Sequence, residues 1–401
     1  MKTSFAALDW ALWLLFASAL GSGFVLHWAV LRKRRMLAVP AKHGPGVSVL
    51  KPLCGVDEGL YENLVSFVSQ QYPAFELVLG IADPRDPVLD IVKRLKQAYP
   101  KAPLQVVVHG EDDPGANPKV ISLLHMARVA RYEHWLISDS NVRARPDYLA
   151  TIAAEMADPQ VGLVSSLIVG TGGSSLGAQC ENLHLNTFVL GGVCIADLAD
   201  QPCVVGKSML MRRDQLAALG GFESLRRVLA EDYLLGQRYH AAGYRVVLST
   251  HAVATHNQRL SVRRFLARHL RWAQLRRSCA IGPFLAEPLF YSSPFIAAPL
   301  LVSDTPHGFG YWGYACALGL FARVSGDALL ARRASGEWPK LSVLAFLPAK
   351  DALLLAAWSI ALVRRSVTWR GHSLRIATGS RLCAPSERAP SFRERLTTVW
   401  Q

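Results

Sequence analysis

The sequence predicts an α/β protein, with a mostly parallel sheet covered by helices and flanked by membrane-spanning helices. Three observations carry that prediction. Short apolar runs at residues 47–50, 77–81, 104–108, 135–138 and 161–165 alternate with amphipathic stretches such as 87–99 and 119–131. That is the texture of a sheet buried on both faces. Residues 8–31 carry only Asp9 and His27 as ionisable groups, a run long enough to cross the hydrocarbon core as one helix. The whole chain is also poor in charge, with 51% of its 401 residues hydrophobic and 18% charged, against about 25% charged in ordinary soluble domains.

In chain order, the first unit is residues 1–35, an anchor that ends in Arg32-Lys33-Arg34-Arg35. A basic cluster after the apolar run holds that end in the cytoplasm and leaves the N-terminus outside. A cleaved signal peptide would have a shorter apolar core and the charges before it. Residues 45–260 form the α/β unit. Residues 261–280 read as an amphipathic interface helix. Val262, Phe265, Leu266, His269 and Trp272 fall on one face, and Arg263, Arg264, Arg268, Arg271, Arg276 and Arg277 crowd the remainder, the pattern of a helix lying in the membrane surface.

Residues 281–365 hold three apolar stretches, 284–302, 307–324 and 341–363, and residues 366–401 read as a basic tail. Three full crossings there would put Arg364, Arg365, Arg370 and Arg375 outside, against the positive-inside rule. They would also place Lys350 and Asp351 in mid-bilayer, which is costly unless the two are paired. A re-entrant or broken hairpin would remove both conflicts.

Composition excludes a disordered chain, a collagen-like chain and a small disulfide scaffold. The seven cysteines, 54, 180, 194, 203, 279, 316 and 383, contain no Cys-x-x-Cys pair and read as reduced thiols facing the cytosol. A net charge of +14 suits anionic lipid or a phosphate-bearing substrate. It does not suit nucleic acid, because the basic residues gather at membrane flanks and beside strand ends rather than along a groove.

In open α/β sheets ligands bind beyond the carboxyl ends of the strands, so the polar clusters there are the candidates. Asp83-Pro84-Arg85-Asp86 follows the second run and Asp139-Ser140-Asn141 the fourth. Glu231-Asp232 and Arg268-His269-Leu270-Arg271-Trp272 lie farther on, and Asn117-Pro118-Lys119 opens a helix. Taken singly, Asp-Pro pairs begin turns and acidic pairs cap helices. Together, they converge carboxylates on one crevice, where a hard cation held by oxygen ligands could neutralise a departing diphosphate. A further carboxylate could take a proton from an attacking hydroxyl. No Walker A sequence, no GxGxxG after the first strand and no GxSxG elbow occurs, which argues against a P-loop hydrolase, an NAD enzyme and an α/β-hydrolase.

In this order the motifs resemble the inverting family 2-type glycosyltransferases, and more closely the ceramide glucosyltransferases of glycosyltransferase family 21. The resemblance covers roughly residues 45–280 and rests on Val47-Ser48-Val49-Leu50-Lys51-Pro52-Leu53 with Gly55-Val56-Asp57, then Asp83 to Pro87 and Asn117-Pro118-Lys119. Asp139-Ser140-Asn141, residues 203–212, Ala230-Glu231-Asp232-Tyr233 and Arg268-x-x-Arg271-Trp272 complete it.

The resemblance implies a GT-A-like domain on the cytosolic face, a UDP-sugar donor, a divalent cation (Mg or Mn) and a lipid acceptor. It puts Asp86 near the uridine with Asp83 beside it, Asp139 at the metal and diphosphate, and Asp232 as the base for the acceptor hydroxyl. Lys119 is implied as a donor contact. Arg268, Arg271 and Trp272, which share one helix face, would address one pocket, the guanidiniums binding diphosphate. One departure matters: many relatives have Asp-x-Asp where this chain has Asp139-Ser140-Asn141, and Asn offers no second negative charge.

The reaction implied is transfer of glucose from UDP-glucose to the primary hydroxyl of ceramide, with membrane lipids as the only other partner. Three rivals stand beside it. One transfers N-acetylglucosamine from UDP-N-acetylglucosamine to a hopanoid. Another is a processive polysaccharide synthase, for which the C-terminal membrane region is short. The third is a non-catalytic lipid-binding scaffold that has kept the fold.

Overall fold

The computed structural model describes residues 2–34, 44–110, 115–302, 308–364, 366–369 and 372–383. Arg35, Arg365, Arg370, His307 and residues 384–401 of the expected tail lie outside that set.

A long helix α1 (Lys2–Arg34) precedes strand β1 (Val47–Leu53), helix α2 (Leu60–Val68), β2 (Phe75–Ile81), α3 (Val88–Ala98), β3 (Leu104–Val108), α4 (Pro118–Val129) and β4 (His134–Ser138). The chain continues through β5 (Val142–Arg143), α5 (Tyr148–Glu155), β6 (Val161–Thr171), α6 (Leu176–His184), a π-helical turn (Leu185–Val189) and α7 (Leu190–Leu198). Then come β7 (Ser208–Arg212), α8 (Arg213–Ala218), α9 (Glu231–Ala241), β8 (Arg245–His256) and α10 (Val262–Cys279). All five apolar runs are strands.

The sheet has eight strands in the order β3-β2-β1-β4-β7-β6-β8-β5. The pairings β1–β2, β2–β3, β1–β4 and β6–β8 are parallel, while β7 runs antiparallel to both its neighbours and β5 antiparallel to β8. The sheet is therefore mixed, with one parallel half. Leu64, Phe67, Val92, Leu95, Tyr148 and Ile152 bury on one face, and Val120, Leu123, Met126, Leu235 and Tyr239 on the other. Burial on both faces is why the strands read as unbroken apolar runs rather than alternating ones.

Beyond α10 the chain forms α11 (Ile281–Ala286), a 3-10 turn (Glu287–Phe290), α12 (Ser293–Ala297), α13 (Pro299–Val302), α14 (Gly308–Ser335) and α15 (Leu341–Val363). Among the described residues, three helices are long and apolar enough to cross a membrane: Trp10–Arg34, Gly310–Ser335 and Leu341–Val363. The stretch 284–302 is instead broken, at Pro288, Pro294 and Pro299, because proline removes a helix hydrogen bond and crowds the preceding turn.

Helices α1 and α14 lie parallel and in register. The rings of Trp13 and Trp312 are 4.8 Å apart, His27 Nε2 is 2.7 Å from the Gly326 carbonyl, and Arg34 bonds the Arg333 carbonyl. The broken stretch runs the other way between them. Ser22 donates to the Leu289 carbonyl at 2.8 Å, whereas Ile296 packs on Phe16 and accepts from Cys316 at 3.0 Å.

Helix α15 matches a membrane span in length, yet both ends are tied to the α/β unit. Ser342 Oγ donates to Gln179 of α6 at 2.7 Å, and Gln274 of α10 donates to the Arg364 and Ser366 carbonyls at 3.0 Å each. It therefore lies along α10. The apolar edge of α10 meets this helix, with Phe265 and His269 buried. Lys350 and Asp351 pair at 3.0 Å, and Asp351 also accepts from Ser293 Oγ at 2.7 Å, so neither charge stands unpaired.

Within the stretch expected as a tail, Ser366–Trp369, His372–Ile376 and Leu382–Cys383 form a small antiparallel sheet, β9 to β11. Its end returns to the α/β unit: the Leu229 N–H donates to the Ser380 carbonyl at 3.0 Å and the Ala230 N–H to Ser380 Oγ at 3.1 Å. These bonds fix the loop that leads into α9.

Candidate active site

Strands β1, β2 and β4 are parallel neighbours, so their carboxyl ends share one edge. Asp139 follows β4 on that edge. Strand β7 is antiparallel to β4 with Ser208 opposite Ser138, which sets Lys207, the residue before β7, against Asp139. The Lys207 ammonium lies 3.1 Å from Asp139 Oδ2 and 2.6 Å from Asn141 Oδ1. From the first turn of α4, Lys119 reaches Asp139 Oδ1 at 3.0 Å and Glu231 Oε1 at 2.8 Å, and donates to the Gly206 carbonyl at 3.2 Å.

Asn117 positions that lysine. Its side chain caps α4 by accepting the Lys119 N–H at 3.0 Å, while its amide donates to the Val228 carbonyl at 2.8 Å and Glu231 Oε2 at 3.2 Å. Pro118 supplies the favoured first helical residue. Glu231 and Asp232 open α9, where the helix N-terminus favours negative charge. Asp232 accepts the Gly206 N–H at 2.6 Å on one oxygen and the Tyr233 N–H at 2.8 Å on the other. A side chain on Gly206 would meet Asp232 Oδ2 at 2.8 Å, so only glycine lets the loop approach this closely. Beneath these groups, buried Lys51 of β1 donates to Ser138 Oγ at 3.0 Å and the Asp139 carbonyl at 2.7 Å.

The charges of this cluster hold one another. Burial alone would raise the Asp139 carboxyl, but Lys119 and Lys207 outweigh it and keep the group well below the usual carboxylate range. Burial likewise works against the Lys119 cation, and Asp139, Glu231 and Asp232 together overcome it, holding the lysine charged. Lys51 has less compensation, and burial brings it down to about 7. Burial raises Glu231, with Lys119 opposing.

The other expected residues fall in two places. Asp86 stands at the end of β2 on the same strand edge, accepting the Gly55 N–H at 2.8 Å and the Val88 N–H at 2.9 Å. Asp83 is exposed and serves its own turn, accepting the Arg85 N–H at 2.8 Å. Arg268 is committed to buried Glu181 of α6 at 2.9 Å, with His269 on the other carboxylate oxygen at 2.9 Å. Trp272 meets His269 edge to face at 5.1 Å, and Arg271 is half-buried on the next turn. Burial works against the Glu181 anion, but His269 and Arg268 bring it down to about 2.

The structure thus gathers Asp139, Lys119 and Asp232, keeps Asp86 along the edge, and gives Arg268 a partner on α6. Farther along α10, Arg276 binds Glu287 through two bonds of 2.8 and 2.5 Å.

Sequence reasoning missed Lys51, Lys207 and Glu181. For Lys51 a signal existed, since a lysine inside an apolar parallel strand must find partners. Lys207 lay inside the stretch 203–212 without anything to mark its partner, and Glu181 gave no signal, because the partners of both are remote in sequence.

The divalent cation implied at Asp139 finds its donors filled. Asp139 Oδ2 and Asn141 Oδ1 both hold the Lys207 ammonium, and Asp139 Oδ1 holds Lys119. Among the described residues no three His, Cys, Asp or Glu side chains stand together as a metal site. The donor set found here fits an ammonium and does not fit a divalent ion.

With this geometry in place, relatives bear on it. The chain is 32% identical over 250 residues to ceramide glucosyltransferase 3 of Caenorhabditis elegans, covering 61% of this chain and 53% of that protein. It is 31% identical over 246 residues to ceramide glucosyltransferase 1 of the same organism, with 61% and 53% covered. It thus spans about half the length of these relatives. Among solved structures, a mannosyltransferase of Pyrobaculum calidifontis in complex with GDP-Man and Mn2+ superposes with a TM-score of 0.50 at 20% identity, covering 88% of this chain and 98% of that one. That likeness establishes the GT-A-like fold. The model of glycosyl transferase family 21 matches residues 11–382, and the chain belongs to that family.

Proposed function

We propose that the chain is a membrane-bound inverting hexosyltransferase that moves glucose from UDP-glucose to the primary hydroxyl of ceramide, giving β-glucosylceramide. The observation that carries the proposal is the Lys119 bridge between Asp139 and Glu231 at the strand ends, with Asp232 beside it on the Gly206 N–H, in a chain similar to ceramide glucosyltransferases. Lys119 and Lys207 offer charge to the diphosphate of the donor, and Asp86, on the same strand edge, is the residue the resemblance implies for the uridine. Asp232 takes the proton of the acceptor hydroxyl as that oxygen attacks the anomeric carbon. UDP leaves with the bonding pair and the configuration inverts. Two backbone N–H groups fix the Asp232 carboxylate, which orients it as a base at little reorganisation cost.

Arg268, bound to Glu181, serves in this reading to orient α10 and the Trp272 indole at the acceptor entrance. Arg271, one turn away, is the guanidinium that the resemblance implies for the diphosphate.

The helix directions support one membrane arrangement within this reading. Helix α1, residues 281–302 and α14 cross in alternating directions, and α15 lies with α10 in the interface. The basic ends Arg32–Arg34, Arg332–Arg333 and Arg364 then share the cytoplasmic side with the α/β unit, as the positive-inside rule requires. A water-soluble donor can thereby meet a lipid hydroxyl at headgroup depth.

The test is incubation of membranes holding the protein with UDP-glucose or UDP-N-acetylglucosamine and ceramide or hopanoid, with products identified by mass spectrometry. Glucosylceramide is expected, and an N-acetylglucosaminyl hopanoid would replace the substrate assignment. Asp232→Asn should keep UDP binding and lose about 10²–10⁴ in turnover. Near-normal turnover in that variant refutes the base.

A further inference from the structure

Lys207 stands where a divalent cation would be expected. Its ammonium bridges Asp139 Oδ2 at 3.1 Å and Asn141 Oδ1 at 2.6 Å, the two oxygens that the Asp-x-Asn sequence offers to a metal. An ammonium carries three N–H donors, so with Asp139 and Asn141 holding two, the third can reach a phosphate oxygen. The position is built rather than accidental. The β4–β7 register sets Lys207 against Asp139. The residue before it donates its N–H to Asp232 at 2.6 Å, and the Lys207 N–H closes onto the Val205 carbonyl at 2.7 Å. The same loop therefore fixes both this cation and the carboxylate assigned as base.

Asn141 matters in the same direction. A second carboxylate there would recruit a divalent ion, whereas a neutral amide oxygen matches the single charge of an ammonium. A divalent ion entering this position would have to expel Lys207 from a half-enclosed site while Lys119 stayed on the other oxygen of the same carboxylate.

We propose that Lys207 is a built-in substitute for the divalent cation, so that nucleotide diphosphate binds and leaves against Lys207 and Lys119 with no metal required. This inference rests on the reading of the crevice as a nucleotide-sugar site.

Calorimetric titration of the purified full chain with UDP, in EDTA and in Mn2+, tests it, with Mn2+ binding followed separately by electron paramagnetic resonance. The wild type should bind UDP within about threefold in the two buffers. Lys207→Met should lose at least about tenfold in EDTA, the worth of a charge-assisted hydrogen bond, and regain affinity together with a newly bound Mn2+. Lys207→Arg should keep binding in EDTA. Wild-type UDP binding that falls more than tenfold in EDTA and returns with Mn2+ overturns the inference while leaving the nucleotide site intact, and so does unchanged EDTA-buffer affinity in a folded Lys207→Met. Absence of UDP binding in either buffer removes the nucleotide reading and this inference with it.

Discussion

Lys119→Met probes the cluster most directly. The ammonium lies 3.0 Å from Asp139 and 2.8 Å from Glu231. At an effective dielectric of about 20 each pair is worth roughly 6 kcal/mol of direct attraction. Most of that is offset by the cost of burying the three charges. Removing one partner of a buried network nevertheless leaves the others uncompensated, at about 3–5 kcal/mol. Glu231, already raised by burial, is the group expected to take up a proton in response.

The double variant Lys119→Met/Glu231→Gln should therefore recover much of the lost stability without recovering the nucleotide site. Thermal unfolding in detergent and UDP calorimetry on wild type, both single variants and the double variant separate the two effects. The expected pattern is a large fall in Tm for Lys119→Met, partial return in the double variant, and UDP affinity at least about tenfold weaker in both. Unchanged Tm and UDP affinity within twofold in Lys119→Met would refute the account of the crevice as a lysine-held diphosphate site.

Other consequences follow from the same geometry. The Glu181 carboxyl is held at about 2 against an ordinary 4.5, so its contribution is fully present above about pH 4.5 and is lost as pH falls toward 2. That is about 3 kcal/mol, and melts at pH 5 and pH 3 should show Glu181→Gln less acid-sensitive than the wild type across this window. Gly206→Ala would push a methyl to 2.8 Å from Asp232 Oδ2 and 3.0 Å from Lys119 Nζ. Turnover should fall at least about tenfold while the protein stays folded, and unaltered kcat would show that the loop does not hold the base. Cysteines at Ser342 and Ser366 should both react with an impermeant maleimide from the side of the α/β unit, and a cysteine at Tyr311 from the opposite side. Labelling of 342 and 366 from different sides would show that α15 crosses the bilayer.

The apolar runs of β1 to β4 and β6, the anchor and the amphipathic α10 were legible because each is a local pattern: burial on both faces, a length matched to the bilayer, a helical repeat. Asp139, Asp232 and Lys119 were legible as polar groups at strand and helix ends. Strands β7 and β8 escaped notice because their sequences, Ser208 to Arg212 and Arg245 to His256, mix polar and apolar residues without a clean period. The role of α15 could not be read either. Its composition is that of a span, and only the bonds from Ser342 to Gln179 and from Gln274 to the Arg364 carbonyl turn it along α10.

By itself, then, the sequence determined strands β1 to β4 and β6, the anchor and the amphipathic α10, and which residue types wait at their ends. Tertiary structure alone decided the pairings among them. It placed Lys207 between Asp139 and Asn141, Arg268 on Glu181, and Ser380 beneath the loop before Asp232. Local patterns report how a segment meets solvent, lipid or core. Charge partners far apart in the chain are chosen by strand register and helix packing, which no single segment encodes.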